Sequence, residues 1–118
     1  MSERETILLI EDIGVSIANI LEFTQGMSFE EYESDLKTKH AVERNFEVIG
    51  EASSRVPENY KVETSQIEWR ILKDFRNFII HEYFGINDLI IWDTIQQRLP
   101  DLLEAFKILL NKFEQSQL

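Results

Sequence analysis

The sequence predicts an all-α protein, an antiparallel helical bundle of about five to six helices on a four-helix core, and three observations predict it. Apolar residues recur at spacings of three and four, with no strict alternation of the kind a half-buried strand needs. Only 4 Gly and 2 Pro interrupt 118 residues that are 43% hydrophobic, a balance suited to helices around a core and not to a disordered or fibrous chain. Capping pairs and glycines fall at the ends of the periodic stretches, where helices start and stop. A chain of this length buries roughly two thirds of its unfolded surface on folding. That suffices for one core, so residues 1–118 are read as one domain.

The first helix is expected from about Glu3 to Thr24, with Ile7, Ile10, Ile13, Ile17, Ile20 and Leu21 as its buried stripe. Gly14 and Ala18 lie one turn apart on it, and small side chains at that spacing let another backbone approach. Gln25-Gly26 stops it. Ser28 with Glu31 forms a capping box, opening a short helix through Phe29 and Tyr32. Asp35 or Thr38 caps a longer third helix, which runs to about Arg55 and turns Val42, Phe46, Ile49 and Ala52 inward. Gly50 within it costs about 1 kcal/mol relative to Ala. Its presence, with Ser53 and Ser54 beside it, points to a close helix crossing.

Pro57 to Thr64 read as a polar surface loop. Ser65 and Glu68 make a second capping pair, which predicts a helix from Gln66 with Ile67, Ile71, Leu72, Phe75, Phe78 and Ile79 facing the core. Gly85 stops that helix, and Asn87 or Asp88 caps the next, which contains Leu89, Ile90, Trp92 and Ile95. Pro100 either kinks it or begins the last helix, because proline is tolerated in a first turn and costly further in. Leu102, Leu103, Phe106, Leu109, Leu110 and Phe113 continue the stripe, and the tail Glu114 to Leu118 is expected to fray.

Composition narrows the chemistry. With no cysteine there is neither a disulfide nor a thiolate metal site, which fits a reducing compartment. The N-terminus is charged, and the apolar runs are too short and interrupted for a signal peptide or a membrane span. A cytoplasmic protein is expected. Its net charge of −10, from 12 basic against 22 acidic residues, opposes non-specific binding of a polyanion. It leaves room for a locally basic cleft, and it equally suits a protein partner with a basic surface.

The chemistry concentrates in Arg76-Asn77-Phe78-Ile79-Ile80-His81-Glu82-Tyr83. His40 and His81 are the two histidines of the chain, and His81 is the better placed. The last turn of a helix presents unpaired carbonyls and the negative end of the dipole, which favour a protonated ring. At ~100° per residue, positions 76 and 81 lie ~140° apart around the helix, whereas 76 and 83 nearly coincide. Either the helix loosens before His81, or a second copy of the chain completes the site across a dimer axis.

The octet's pattern of Arg, four residues, His, one residue, Tyr, with polar Asn77 after the Arg, resembles the motif of the HEPN superfamily, specifically the HepT-like toxins. Two further blocks resemble the same family: the stretch from Ala41 through Arg44-Asn45-Phe46 to Gly50-Glu51-Ala52, and the run from Trp69 through Tyr83-Phe84-Gly85 to Ile91-Trp92-Asp93-Thr94. An Arg and His pair alone recurs by chance. Three blocks in order are specific. The resemblance implies a metal-independent endoribonuclease toxin of a type VII toxin-antitoxin system, with a composite site in a homodimer cleft and no cofactor. It also implies that a partner, a minimal MntA-type nucleotidyltransferase, transfers AMP to the tyrosine at position 83 and so blocks the site.

Each residue also has an ordinary reading. Arg76 could be a surface arginine paired to Asp74 or Glu82 or to a neighbouring helix; against this, a guanidinium offers a phosphate two parallel donors and stays charged. His81 could be a packed helix-end residue. As a catalytic group it would take the proton of a ribose 2′-hydroxyl or give one to the leaving 5′ oxygen, while Arg76 stabilises the phosphate between them. Asn77 could orient the hydroxyl or hold Arg76, or simply be solvated. Tyr83 could pack its ring and expose its hydroxyl. Arg44, Glu47, Glu51 and Arg55 fall at spacings of three and four and are expected to form a salt-bridged helix face. His40 receives no role.

Two rivals follow. One is a catalytically silent HEPN binding module that docks a nucleotidyltransferase through its acidic surface and the helix carrying Gly50. The other, a four-helix metal protein, is poorly supported because the helices lack the repeated Glu and Glu-x-x-His inward ligands of such sites.

Overall fold

The computed structural model describes the backbone of residues 1–82 and 88–116 and the side chains of 1–77 and 88–115. The elements are α1 (Glu3–Thr24), α2 (Phe29–Ser34), α3 (Leu36–Arg55), α4 (Glu58–Glu63), α5 (Trp69–Glu82), α6 (Asp88–Gln97) and α7 (Leu99–Ser116). Among the described residues there is no strand, and the fold is the expected all-α bundle with α4 as an additional short helix. The expected stop at Gly85 and the cap at Asn87 lie outside the described residues.

Local chemistry sets most of the boundaries. The Ser2 hydroxyl accepts from Glu5 N while the Glu5 carboxylate accepts from Ser2 N, capping α1. The α1 helix ends where Gly26 turns to φ 76°, a conformation open to a residue without Cβ. Ser28 and Glu31 form the expected reciprocal box. Of the two candidates for α3, Asp35 is the cap: its Oδ1 accepts from Thr38 N at 3.1 Å and its Oδ2 from Thr38 Oγ1 at 2.8 Å. These bonds, the backbone one first, hold the Asp35 carboxyl below its ordinary value of 3.8.

Three expectations are revised. The polar stretch after Pro57 is not a loop but α4. The Pro57 carbonyl accepts from both Tyr60 N and Lys61 N at 3.1 Å, and the Tyr60 ring stacks on Phe113 at 5.7 Å. Two buried side chains displace the start of α5. Ile67 and Trp69 turn inward, the Trp69 indole donates to Thr64 Oγ1 at 3.1 Å, and Ile67 N donates to the Thr64 carbonyl at 3.0 Å. Ser65 is left in a turn, and the helix begins at Trp69. Finally, α7 stays helical through Ser116, past the point where fraying is expected from the sequence. Pro100 is its second residue, so it begins the helix and kinks nothing.

The four long helices pack in the order α7, α1, α3, α5, each pair antiparallel. Asn19 Nδ2 donates to Asn45 Oδ1 at 3.2 Å between α1 and α3, while Arg55 at the far end of α3 shares a cavity with Met1 and Glu5. Phe113 of α7 borders Met1 and Thr6 at the start of α1. Ile10, Ile13, Ile17, Ile20, Val42, Phe46, Ile49, Leu72, Phe75 and Phe106 are sealed from solvent between them. Gly14 proves less demanding than its spacing suggests: an added Cβ would meet Leu110 Cδ1 at 3.7 Å and Phe106 Cβ at 4.0 Å, ordinary contacts with side chains.

The short helices close the bundle's ends. Tyr32 of α2 lies 5.2 Å from the Trp92 ring of α6. Lys39, near the start of α3, pairs with Asp88, the first residue of α6, at 2.8 Å with both side chains largely covered. That pair ties the start of α6 to α3. None of the described helices is long and apolar enough to cross a membrane.

Candidate active site

The site begins with how α5 is rolled. Leu72 and Phe75 are fully buried, and Phe75 meets Phe46 of α3 edge-on at 5.0 Å and 84°. With that face fixed inward, the next residue, Arg76, leaves the core at the border between α5 and α3. Gly50 makes this possible. A Cβ built on it would lie 3.0 Å from Arg76 N and 3.2 Å from Arg76 Cβ, and would overlap Arg76 Cγ. The helix-weakening glycine is explained by its neighbour: α3 gives up a side chain where the backbone and stem of Arg76 pass.

Arg76 is exposed and lines a groove of about 430 Å³ over α1, α3 and α5. The α3 part of the lining is a stripe, Arg44, Val48, Glu51 and Arg55, flanked by Ala52 and Ser54, and α1 contributes Leu9 and Asp12. Asp74, the described candidate for an ion pair with Arg76, makes none, and Arg76 pairs with no carboxylate among the described residues. The expected salt-bridged face of α3 is reduced to one contact, Arg44 to Glu47 at 3.5 Å, with Arg44 68% exposed. A surface pair of this kind contributes about 0–1 kcal/mol. Among the described residues, Glu51 and Arg55 have no ion-pair partner. Spacing along α3 assigns this row to structure. The signal of a binding surface, two arginines three turns apart on one stripe, is there in the sequence, but the third arginine beside them comes from another helix.

The other motif residues are placed as follows. Asn77 is exposed, and its side chain makes no hydrogen bond to another described residue. Position 81 belongs to α5, whose backbone is helical through Glu82. The helix does not loosen before His81, so positions 76 and 81 keep their separation of ~140° about the axis. The His81 side chain and Tyr83 lie outside the described residues. His40 is exposed on α3. Among the described residues no three His, Asp or Glu side chains are grouped to hold a metal ion.

The family model described as "Ribonuclease HepT-like" matches residues 13–109. A protein of Thermococcus cleftensis named "Probable ribonuclease HepT" is 39% identical over 98 residues, 83% of this chain and 89% of that protein. A protein of Methanocaldococcus jannaschii, named provisionally as an RNase, is 34% identical over 114 residues, 97% of this chain and 94% of its own length. Another, from Caldanaerobacter subterraneus subsp. tengcongensis and named in the same provisional way, is 37% identical over 93 residues, 79% of this chain and 83% of its own. No solved structure matches the chain significantly.

Proposed function

The chain belongs to the HepT-like ribonuclease family, and from that premise we propose that it is a metal-independent endoribonuclease toxin whose site is shared between the two copies of a homodimer. The reading is carried by the unbroken helix of α5. Positions 76 and 81 lie ~140° apart about one helix, and a dimer axis lets the guanidinium of one chain meet the imidazole of the other at one phosphate. In this mechanism His81 removes the proton of the ribose 2′-hydroxyl, which attacks the adjacent phosphorus, and a second His81 protonates the departing 5′ oxygen. Arg76 neutralises the charge that accumulates on the non-bridging oxygens. Asn77, exposed one residue further on, orients the hydroxyl or the guanidinium.

A dimer also accounts for apolar residues left outside. Leu8 and Val15 of α1 are 51% and 58% exposed and fall on one stripe with Asp12, which borders the Arg76 groove. The biological setting that goes with this reading is a cytoplasmic toxin-antitoxin pair. A partner nucleotidyltransferase places AMP on Tyr83, adding negative charge and bulk two residues from His81 and repelling the substrate phosphate.

Mixed dimers test the shared site. His81→Ala and Arg76→Ala should each abolish cleavage of single-stranded RNA. A purified mixed dimer of one wild-type and one His81→Ala chain should lose far more than half of the wild-type rate, because one site needs the histidines of both chains. A mixed dimer that keeps half of the wild-type rate would refute the composite site, because each chain would then be working alone. For the regulatory step, co-expression with the partner should add AMP mass to the intact protein, and Tyr83→Phe should abolish it. A wild-type chain that binds the nucleotidyltransferase tightly yet never cleaves RNA would favour a silent docking module, which the net charge of −10 also suits.

A further inference from the structure

Arg44 and Arg55 are separated by eleven residues on α3, which is three turns and about 16 Å along the axis, with only ~20° between them. Gly50, against which Arg76 packs, lies between them. Three guanidinium-bearing residues therefore follow one another along a single groove, with the proposed catalytic arginine in the middle. The groove is lined by three arginines and two carboxylates, Asp12 and Glu51, in a chain where acidic residues outnumber basic ones 22 to 12. The sign of the local balance is reversed. Among the described residues Arg55 and Arg76 have no ion-pair partner, and Arg44 has only the exposed contact at 3.5 Å, so none of the three is neutralised by a close buried carboxylate.

We propose that Arg44, Arg76 and Arg55 form a track for successive phosphates of one RNA strand, Arg44 and Arg55 holding the phosphates on either side of the one at Arg76. The assignment rests on the ribonuclease reading above and adds to it a binding surface on α3. The span is too long for one phosphate and suits a strand of several nucleotides. Guanidinium pairing with phosphate oxygens is indifferent to base identity. Glu51, on the same stripe as the two arginines, weakens the track's attraction and confines it to the points where a guanidinium meets a phosphate directly.

Binding and turnover can be separated with a fully 2′-O-methylated single strand, which has no hydroxyl to attack and so reports binding whether or not the protein is a nuclease. Fluorescence anisotropy between 50 and 200 mM salt should give an affinity that falls with salt. Arg44→Gln and Arg55→Gln should each weaken binding several-fold and flatten the slope of log K against log salt by about 0.7 for every phosphate the variant no longer neutralises. Glu51→Gln should strengthen binding. With cleavable RNA the two arginine variants should raise KM and spare kcat, whereas Arg76→Gln should lower kcat. Arg44, Glu51 and Arg55 are all exposed, and circular dichroism should show unchanged folding. The proposal is overturned if the wild type does not bind the methylated strand, or if both arginine variants keep its affinity and salt slope. It is also overturned if they dissociate the dimer while RNA binding per chain is unchanged, which would make the row a protein interface. Loss of the ribonuclease reading alone would show itself differently, as intact salt-dependent binding with no cleavage.

Discussion

Gly50 and Arg76 show how one missing side chain positions another. In an isolated helix Gly50→Ala would be favourable by about 1 kcal/mol. Here the new methyl would meet Arg76 N at 3.0 Å and Arg76 Cβ at 3.2 Å. Those atoms belong to a packed helix and cannot swing aside as a side-chain tip can. Gly50→Ala should therefore destabilise the protein by about 1–3 kcal/mol, the usual cost of overpacking, seen as a lower urea midpoint. It should also lower RNA cleavage by moving Arg76. A midpoint that rises would mean that the two helices cross with room to spare. Trp69 gives a second test, because its indole lies in a buried contact with Thr64 Oγ1 at 3.1 Å. Thr64→Val keeps the volume and removes the acceptor. It should cost about 1–3 kcal/mol, the penalty for an unsatisfied buried donor, measured by the same denaturation.

Among the elements, α4 is the one that local pattern does not announce. Its six residues, ENYKVE, are polar apart from Tyr60 and Val62, and no side chain caps it. What holds it is tertiary: Tyr60 lies between Phe113 at 5.7 Å and Trp69 at 6.4 Å. Burial first, and the charge of Glu63 second, push the Tyr60 hydroxyl up to about 12 from 10.0. A raised folded value means that folding favours the neutral phenol. This contribution is complete below pH 10.0 and is lost as pH rises toward about 12. Thermal melts should show the wild type losing stability through that window more steeply than Tyr60→Phe, which has no proton to lose. Equal slopes would remove Tyr60 from the alkaline transition. Asp35 at the start of α3 works in the opposite sense. Its carboxyl is held below 3.8 by the Thr38 bonds, so its capping contribution is complete above that value and fades as pH falls through the lower folded one.

For the whole molecule, the question is what covers Leu8 and Val15. Both are exposed on one stripe of α1 with Asp12, which borders the groove that holds Arg76. If that side meets a second copy, Leu8→Glu with Val15→Glu should convert a dimer of twice 14.0 kDa into a monomer in light scattering. It should abolish cleavage while leaving helix content unchanged. A dimer that persists, fully active, would place the interface elsewhere. If the arginine groove is where RNA binds, raising ionic strength should weaken substrate binding even though the acidic chain as a whole repels it.

Apolar spacing and capping chemistry in the sequence were enough to determine the all-α bundle, the extents of α1 and α3, the Ser28 box and the inward faces of α1, α3 and the part of α5 up to Phe75; the side chains expected inward at Phe78 and Ile79 lie outside the described residues. These depend on residues within a turn or two of one another. The motif from Arg76 to Tyr83 was legible for a different reason, because its residue types and intervals resemble a family pattern. Only tertiary structure decided that Gly50 makes room for Arg76, that Arg44 and Arg55 share a groove with it, that burial of Ile67 and Trp69 delays the start of α5, and that Tyr60 turns a polar stretch into a helix. Each of these unites residues from different helices, and spacing along one helix carries no record of which neighbour will pack against it.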